Sequence, residues 1–312
     1  MSIKPVSGLG KTSQYILRGF LILSLLIISL SCATVSPTES AREKPTAFST
    51  VEAVRPDWQS FADGVGYFHG KISKPKLEFW ALQIDLSAPN TRIVVKGGAF
   101  DDGQTFSLKV SSFVRDNNLA AGINAVPFNV STKKEWRPIK NMGVVISGGE
   151  ALAPVNPRYD ALVFFTGGKA AIVSQSSIHS LKNIENAVGG FHHILKNGEP
   201  AQRTLDRETR HPRSAAGLSA EGVRLVLLVI DGRRTSSIGG TEKETALLLR
   251  ALGSTEGINL DGGGSSTLAM RYQNGKVKTV NTPVHKAVLG EERAVAGCLG
   301  IELIDEDSTQ SR

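Results

Sequence analysis

From about Trp58 onward, apolar and polar residues alternate in short runs broken by Gly-Gly, Asn-Gly and proline-containing turns, the period of β-strands. The runs "LEFWALQIDLS" (77–87) and "TRIVVKGG" (91–98) read as strands, and "TFSLKVSSFVRDNNLAAGINAV" (105–126) as a helix leading into a strand. "MGVVISGGEAL" and "ALVFFTGGKAAIV" read as hairpins turning on Gly-Gly, and "HHILKNGEPA" as a hairpin around Asn197-Gly198. No repeat of solenoid period is visible.

The last third is the most legible. "RSAAGLS" (213–219) and "VRLVLLVI" (223–230) form a hairpin whose second strand, apolar throughout, reads as buried on both faces. In "TEKETALLLRALG" the pair Thr241 and Glu244 makes a capping box, and Gly253 is a helix stop. "GINL" then forms a strand ending at Asp261. These features predict an α+β domain of mixed β-sheets with a strand–helix–strand unit over residues 223–261. Such a crossover brings Asp231 and Asp261 to one sheet edge. A hairpin turn centred on Glu221 sets residue 213 opposite about residue 229, so Arg213 starts at that same edge.

Ahead of this domain, Lys4, Lys11 and Arg18 precede the short apolar run "GFLILSLLIISL" and then "SCA". The run is short for a membrane-spanning helix. Residues 1–32 therefore read as a lipoprotein-type signal with Cys32 as the lipidated residue, although Ser29 stands where that signal wants leucine. Ordinary secretion and an uncleaved anchor are the alternatives. Residues 33–57 read as a polar tether and 58–312 as the globular domain, exported and membrane-anchored through its lipid in a bacterial envelope.

Composition narrows the chemistry. The 312 residues carry a net charge of +7 with no dense basic block interleaved with aromatics, which argues against nucleic acid as partner. Cys298 is the one other cysteine and reads as a core residue; no Cys/His cluster has zinc spacing. The notable stretch is "NLDGGGSST", where an acid at a strand end is followed by three glycines. Bare backbone N–H groups there can cradle an anion, with Ser265 adding a hydroxyl. Arg213 can hold phosphate, and Asp261 and Asp231 can serve as nucleophile, acid or base. His192 is a further acid/base candidate. The plainer readings are an Asx turn at Asp261, a turn former at Asp231 and a surface ion pair for Arg213. A divalent cation would find hard oxygen donors in Asp231, Asp261 and Asn259, but no motif requires a cofactor.

"HPRSAAGLS", "LVLLVIDGRR", "TEKETALLLRALGSTEGINLDGGGSSTL", "VNTP" and "ERAVAGCLGI", in this order, resemble the phosphodiester glycosidase family. The resemblance runs from about residue 77 to 304. It implies hydrolysis of the glycosidic bond of a sugar-1-phosphodiester or a related envelope or extracellular glycan. It implicates Asp261 and Asp231 as catalytic carboxylates, with Arg213, Arg293, Asn124, Asn259, Gly262, Gly263, Gly264 and Ser265 binding substrate and phosphate. His192 stands near the pocket by analogy. One departure is notable: where the family has an "INGGFF"-like segment, this chain reads "INAVPFN" (123–129), so Ala125 and Val126 replace a glycine pair. That change is expected to reshape the sugar subsite. The alternative function is a non-catalytic glycan-binding or envelope-assembly lipoprotein using the same pocket. A phosphatase or nuclease cutting P–O bonds is a third reading.

Overall fold

In the eight-stranded sheet at the centre of the fold every neighbouring pair is antiparallel, in the order Gln59–Ala62, Val65–Ser73, Lys76–Asp85, Arg224–Ile230, Arg213–Leu218, Glu256–Asn259, His192–Lys196, Glu199–Pro200. The computed structural model describes residues 51–96, 99–101 (backbone only), 103–130 and 132–304. The signal-like segment, Cys32 and most of the 33–57 stretch lie outside the described residues.

A second sheet of five strands runs Val277–Thr279, Leu268–Arg271, Ala121–Asn124, Cys298–Leu303, Thr91–Val95, again antiparallel throughout. Strand alternation tells how the two sheets pack. Leu225, Leu227 and Val229 point into a core shared with Ile123, Leu268, Leu299 and Ile301 of the second sheet. The intervening Val226, Leu228 and Ile230 point the other way, onto Leu247, Leu248 and Leu249 of the helix Glu242–Ala251. On the far side, Ala269 and Cys298 pack with Phe113 and Val114 of the helix Val110–Asp116. The layers therefore run helix, sheet, sheet, helix. A third five-stranded sheet, containing Leu162, Phe164 and Val188, closes one flank of the shared core.

This corrects the expected fold class. The chain is mostly β, with two α-helices of more than one turn among the described residues, and it is not an α+β fold built on a strand–helix–strand unit. The reason lies in the pairing. Arg213–Leu218 sits between Arg224–Ile230 and Glu256–Asn259 and runs antiparallel to both. Residues 223–261 thus contribute two separated strands to an antiparallel sheet, and their helix serves as a cover over its outer face.

The local signals in that helix hold. Thr241 Oγ1 accepts from Glu244 N at 3.1 Å, and Glu244 Oε2 accepts from Thr241 N at 2.9 Å. Gly253 takes φ +96°, the left-handed stop. Arg210 adds a two-pronged ion pair to Glu244, both contacts 2.6 Å.

Within the departing segment 123–129, the two residues that replace the glycine pair do not line an opening. Ala125 and Val126 are both fully buried, in the core between the sheets. Val126 uses room left by a missing side chain elsewhere: a Cβ on Gly297 would stand 2.5 Å from Val126 Cγ2. Gly297→Ala should therefore destabilise the fold by about 1–3 kcal/mol through overpacking. Adding Val126→Ala should recover most of that loss. Urea unfolding of the two single variants and the double variant measures the coupling, and additive losses would refute the pairing.

Candidate active site

Register brings the sequence candidates to one edge. Arg213 lies opposite Ile230, and Ala215 opposite Asn259, so the backbones of Arg213, Asp231 and Asp261 emerge together. Asn124, at the end of Ala121–Asn124, reaches the same edge from the second sheet. Its Nδ2 donates to Asp261 O at 2.5 Å. Its Oδ1 accepts from Ser214 Oγ at 2.7 Å and from Thr267 N at 3.1 Å. Asp261 N in turn donates to Ala125 O at 2.9 Å. The main chain of this acid, which follows a strand of the first sheet, is thus pinned by residues 124 and 125 of the second.

A side chain at each of the three glycines that follow would meet a different obstacle. A Cβ on Gly262 would lie 3.0 Å from Pro212 O. Gly263 has φ +65° and donates its N–H to Pro212 O at 2.8 Å. A Cβ on Gly264 would lie 2.7 Å from Arg293 Nη2 and 3.1 Å from His285 Nδ1. A Cβ on Gly263 would also stand 3.1 Å from Arg233 Nη2, so two guanidinium groups flank the bare turn.

Around this turn the electrostatics are unusual. Burial pushes the Asp261 carboxyl up to about 6, against the opposing pull of the Ser265 hydroxyl, Arg293 and the Gly262 N–H. Arg293 Nη1 donates to Ser265 Oγ at 3.1 Å, and its guanidinium lies 6.0 Å from the Phe128 ring. Arg293 Nε donates to His285 Nδ1 at 3.2 Å. An arginine can only donate, so this bond fixes His285 as the neutral tautomer with its proton on Nε2. Burial and then Arg293 hold the His285 pKa below its ordinary value, in agreement. His285 is fully buried, yet its Nε2 has no hydrogen-bond partner among the described residues. The same is true of Asn259 Oδ1, Asp261 Oδ2, Ser266 Oγ and Thr267 Oγ1. Buried polar atoms are nearly always paired, and these five cluster around one turn, where water or a polar ligand can supply the partner.

Three expected residues are placed differently. Asp231 is 1% exposed and both its oxygens are occupied. Oδ1 accepts from Asn281 Nδ2 at 2.9 Å and from Thr282 N, and Oδ2 pairs with Arg234 at 2.8 Å. Burial still pushes Asp231 up to about 6. Asn281 passes the restraint on, donating to Ser266 O at 3.0 Å and accepting from Leu268 N at 2.9 Å. Asp231 therefore positions the far end of the glycine turn. The Arg213 guanidinium points away from the turn: Nε donates to Gly240 O, Nη2 to Thr209 O, and Nη1 lies 3.7 Å from Glu242. His192 pairs with Asn259 across the sheet, its ring against Tyr159, and burial followed by Arg203 lowers its pKa. Among the described residues no hydrogen bond joins it to Asp261.

Arg233, His285 and Asn281 were not singled out by the sequence. Arg233 had a signal, standing two residues after Asp231 in "DGRR". Asn281 stood in the "VNTP" of the resemblance without a role assigned to it, and His285 had no signal of its own, because only the folded chain carries residues 281–285 across the turn. Cys298 is buried, and burial pushes its thiol up to about 12, as befits a core residue. Among the described residues no group of three His, Cys, Asp or Glu side chains is arranged to hold a metal.

Comparison with known proteins gives relatives at three distances. The chain is 32% identical over 161 residues to the SPbeta prophage-derived uncharacterized protein YomE of Bacillus subtilis, covering 49% of this chain and 23% of that one. It therefore spans under a quarter of that relative's length. Its fold matches a hypothetical protein from Synechocystis with TM-score 0.61 at 13% identity, over 80% of this chain and 64% of that one. It also matches the catalytic domain of zebrafish N-acetylglucosamine-1-phosphodiester alpha-N-acetylglucosaminidase, a structure auto-inhibited by its pro-peptide. There the TM-score is 0.58 at 18% identity, over 81% of this chain and 89% of that one. The two solved structures establish the shared fold. The phosphodiester glycosidase family model matches residues 117–302, more than half of the chain and all of the turn just described, and the protein belongs to that family.

Proposed function

We propose that the protein hydrolyses the glycosidic bond of a sugar-1-phosphodiester, with the phosphate seated over Gly263 and Gly264. The observation that carries this reading is the pair of guanidinium groups, Arg233 and Arg293, flanking bare backbone beside an unpaired, buried carboxylate oxygen of Asp261. In this reading Asp261 takes a proton from water as the water oxygen attacks the anomeric carbon. The C1–O bond breaks, and its electron pair leaves on the phosphate, where the two arginines stabilise the charge. A leaving phosphate needs cations more than it needs a general acid. His285 Nε2–H supplies a further neutral donor, and Ser265 keeps Arg293 aimed. Export and lipidation at Cys32 are part of the proposal, supported by the basic, apolar and Cys-containing order of residues 1–32.

Incubation with a panel of sugar-1-phosphodiesters in 18O-labelled water should release free sugar carrying the label and unlabelled phosphomonoester. Label in the phosphate would mean P–O cleavage instead. Asp261→Asn should abolish turnover while keeping the ligand; a variant that binds and turns over normally would remove Asp261 from the chemistry. If the wild type binds such a ligand without turnover, the binding-lipoprotein reading replaces this one.

Asp261 also links pH to stability. Its folded pKa of about 6 lies above its ordinary 3.8, so the native state holds the proton more tightly. Stability is then lost as pH rises from about 4 through about 6, by up to about 3 kcal/mol. Asp261→Asn should raise Tm at pH 7.5 and have little effect at pH 3.5. Wild-type activity should rise with pH through about 6, because the base must be ionised.

Asp231→Ala should behave in the opposite sense. It leaves Arg234 and Asn281 without their carboxylate and should cost about 3–5 kcal/mol of stability. Denaturant unfolding checks this, and a loss under about 1 kcal/mol would show that Asp231 does not hold the 281–282 loop.

A further inference from the structure

At the same edge of the second sheet, two strands from Asn124, lies a pocket that the proposed chemistry does not use. Asn124 is paired with Cys298, and Cys298 O accepts from Lys96 N at 3.0 Å. Two strand spacings, about 10 Å, separate Lys96 from Asn124. The pocket is about 340 Å³ and is lined by Lys96, Thr105, Phe106, Leu108, Phe113 and Trp136.

Its base and its rim are both unusual. Lys96 is only 9% exposed, and its ammonium donates to Thr105 Oγ1 at 2.7 Å. No carboxylate among the described residues forms an ion pair with it. The titratable group that acts on it, Cys298, is a neutral thiol at pH 7. A buried cation without an anion is costly and seldom retained without a use. Burial lowers the Lys96 pKa accordingly.

On the rim, Trp136 is 66% exposed and Phe106 43%, their ring centroids 6.3 Å apart. Trp136 holds φ +61°, a conformation that a bulky residue adopts only under constraint. The constraint is visible. Trp136 N donates to Ser107 O at 2.7 Å, Ser107 N to Arg137 O at 2.8 Å, and the buried Ser107 Oγ accepts from Arg137 N at 3.0 Å while donating to Lys134 O. The turn is clamped so that an indole stands out into solvent over a pocket with a cation at its base. This clamped segment is tied to the active site, because Ala294 N donates to Thr132 O and Leu108 pairs with Val295, beside Arg293.

We propose that this pocket is a second saccharide subsite that takes an anionic sugar, its ring laid against Trp136 and its carboxylate or phosphate carried in to the Lys96 ammonium. A flat aromatic face matches the apolar face of a sugar ring, and a desolvated ammonium discriminates an anion from a neutral hydroxyl. The choice of a saccharide over another anionic ring rests on the glycosidase reading.

The test is calorimetric titration of the full-length chain in detergent with glucuronic acid, glucose 6-phosphate and neutral glucose. One or both anions should bind at least about tenfold more tightly than glucose, which identifies the acid group. Trp136→Ala should weaken that binding about tenfold and Trp136→Phe much less, because an aromatic face remains. Lys96→Met should erase the preference for the anion and leave Tm equal to or above the wild-type value. Equal binding of glucose and the anions, no binding of either anion, or indifference to Trp136→Ala would overturn the proposal. So would a fall in Tm for Lys96→Met, which would make Lys96 structural. Phosphodiester turnover is assayed on the same preparations. Turnover without Trp136-dependent binding sinks the subsite alone, and Trp136-dependent binding without turnover sinks the glycosidase reading alone.

Discussion

The hydrogen bonds of one buried amide, Asn124, hold the two sheets and the glycine turn in a single frame. Its Nδ2 fixes the carbonyl of Asp261, and its Oδ1 takes the Ser214 hydroxyl from the large sheet and the Thr267 N–H from beyond the turn. Sheet-on-sheet packing alone leaves two apolar layers free to slide by fractions of a residue, since the hydrophobic effect has no direction. A fully buried amide has no such freedom. Each misplaced partner leaves an unpaired polar group, at about 1–3 kcal/mol. The cost of error at Asn124 is what turns a generic sandwich into a scaffold with a defined edge.

The two aspartates show why a displaced pKa does not by itself identify chemistry. Burial pushes Asp231 and Asp261 to the same value of about 6. Asp231 is surrounded by donors from Asn281, Thr282 and Arg234, so its charge is consumed in holding a loop. Asp261 keeps an oxygen unspent. The inventory of partners, more than the shift, separates the residue that positions from the residue that is available to react.

Much of this was legible in the chain. The hairpins at 213–230 and 160–174, the capping box at Thr241 and the glycine turn after Asp261 are local features, each specified by residues a few positions apart. The backbones of Arg213, Asp231 and Asp261 come to one edge as the strand register required. What could not be read is non-local. No periodicity says that 213–218 inserts between 224–230 and 256–259, and so the sheet was expected to be mixed when it is antiparallel. The Arg213 side chain could equally have faced the turn; Gly240, remote in sequence, and the carbonyl of Thr209 in the preceding loop draw it off. Ala125 and Val126 looked like an intrusion into the ligand space because their complement, Gly297, lies about 170 residues away.

The contrast between the glycines has a consequence for how the chain can drift. Gly297 and Val126 share one volume, so a change at either position is redeemable at the other. Gly262, Gly263 and Gly264 answer separately to a neighbouring carbonyl, to backbone handedness and to a guanidinium. No second substitution relieves all three at once, so the turn is mutationally isolated. It can be inherited intact or lost, whereas the segment beside it is exchangeable.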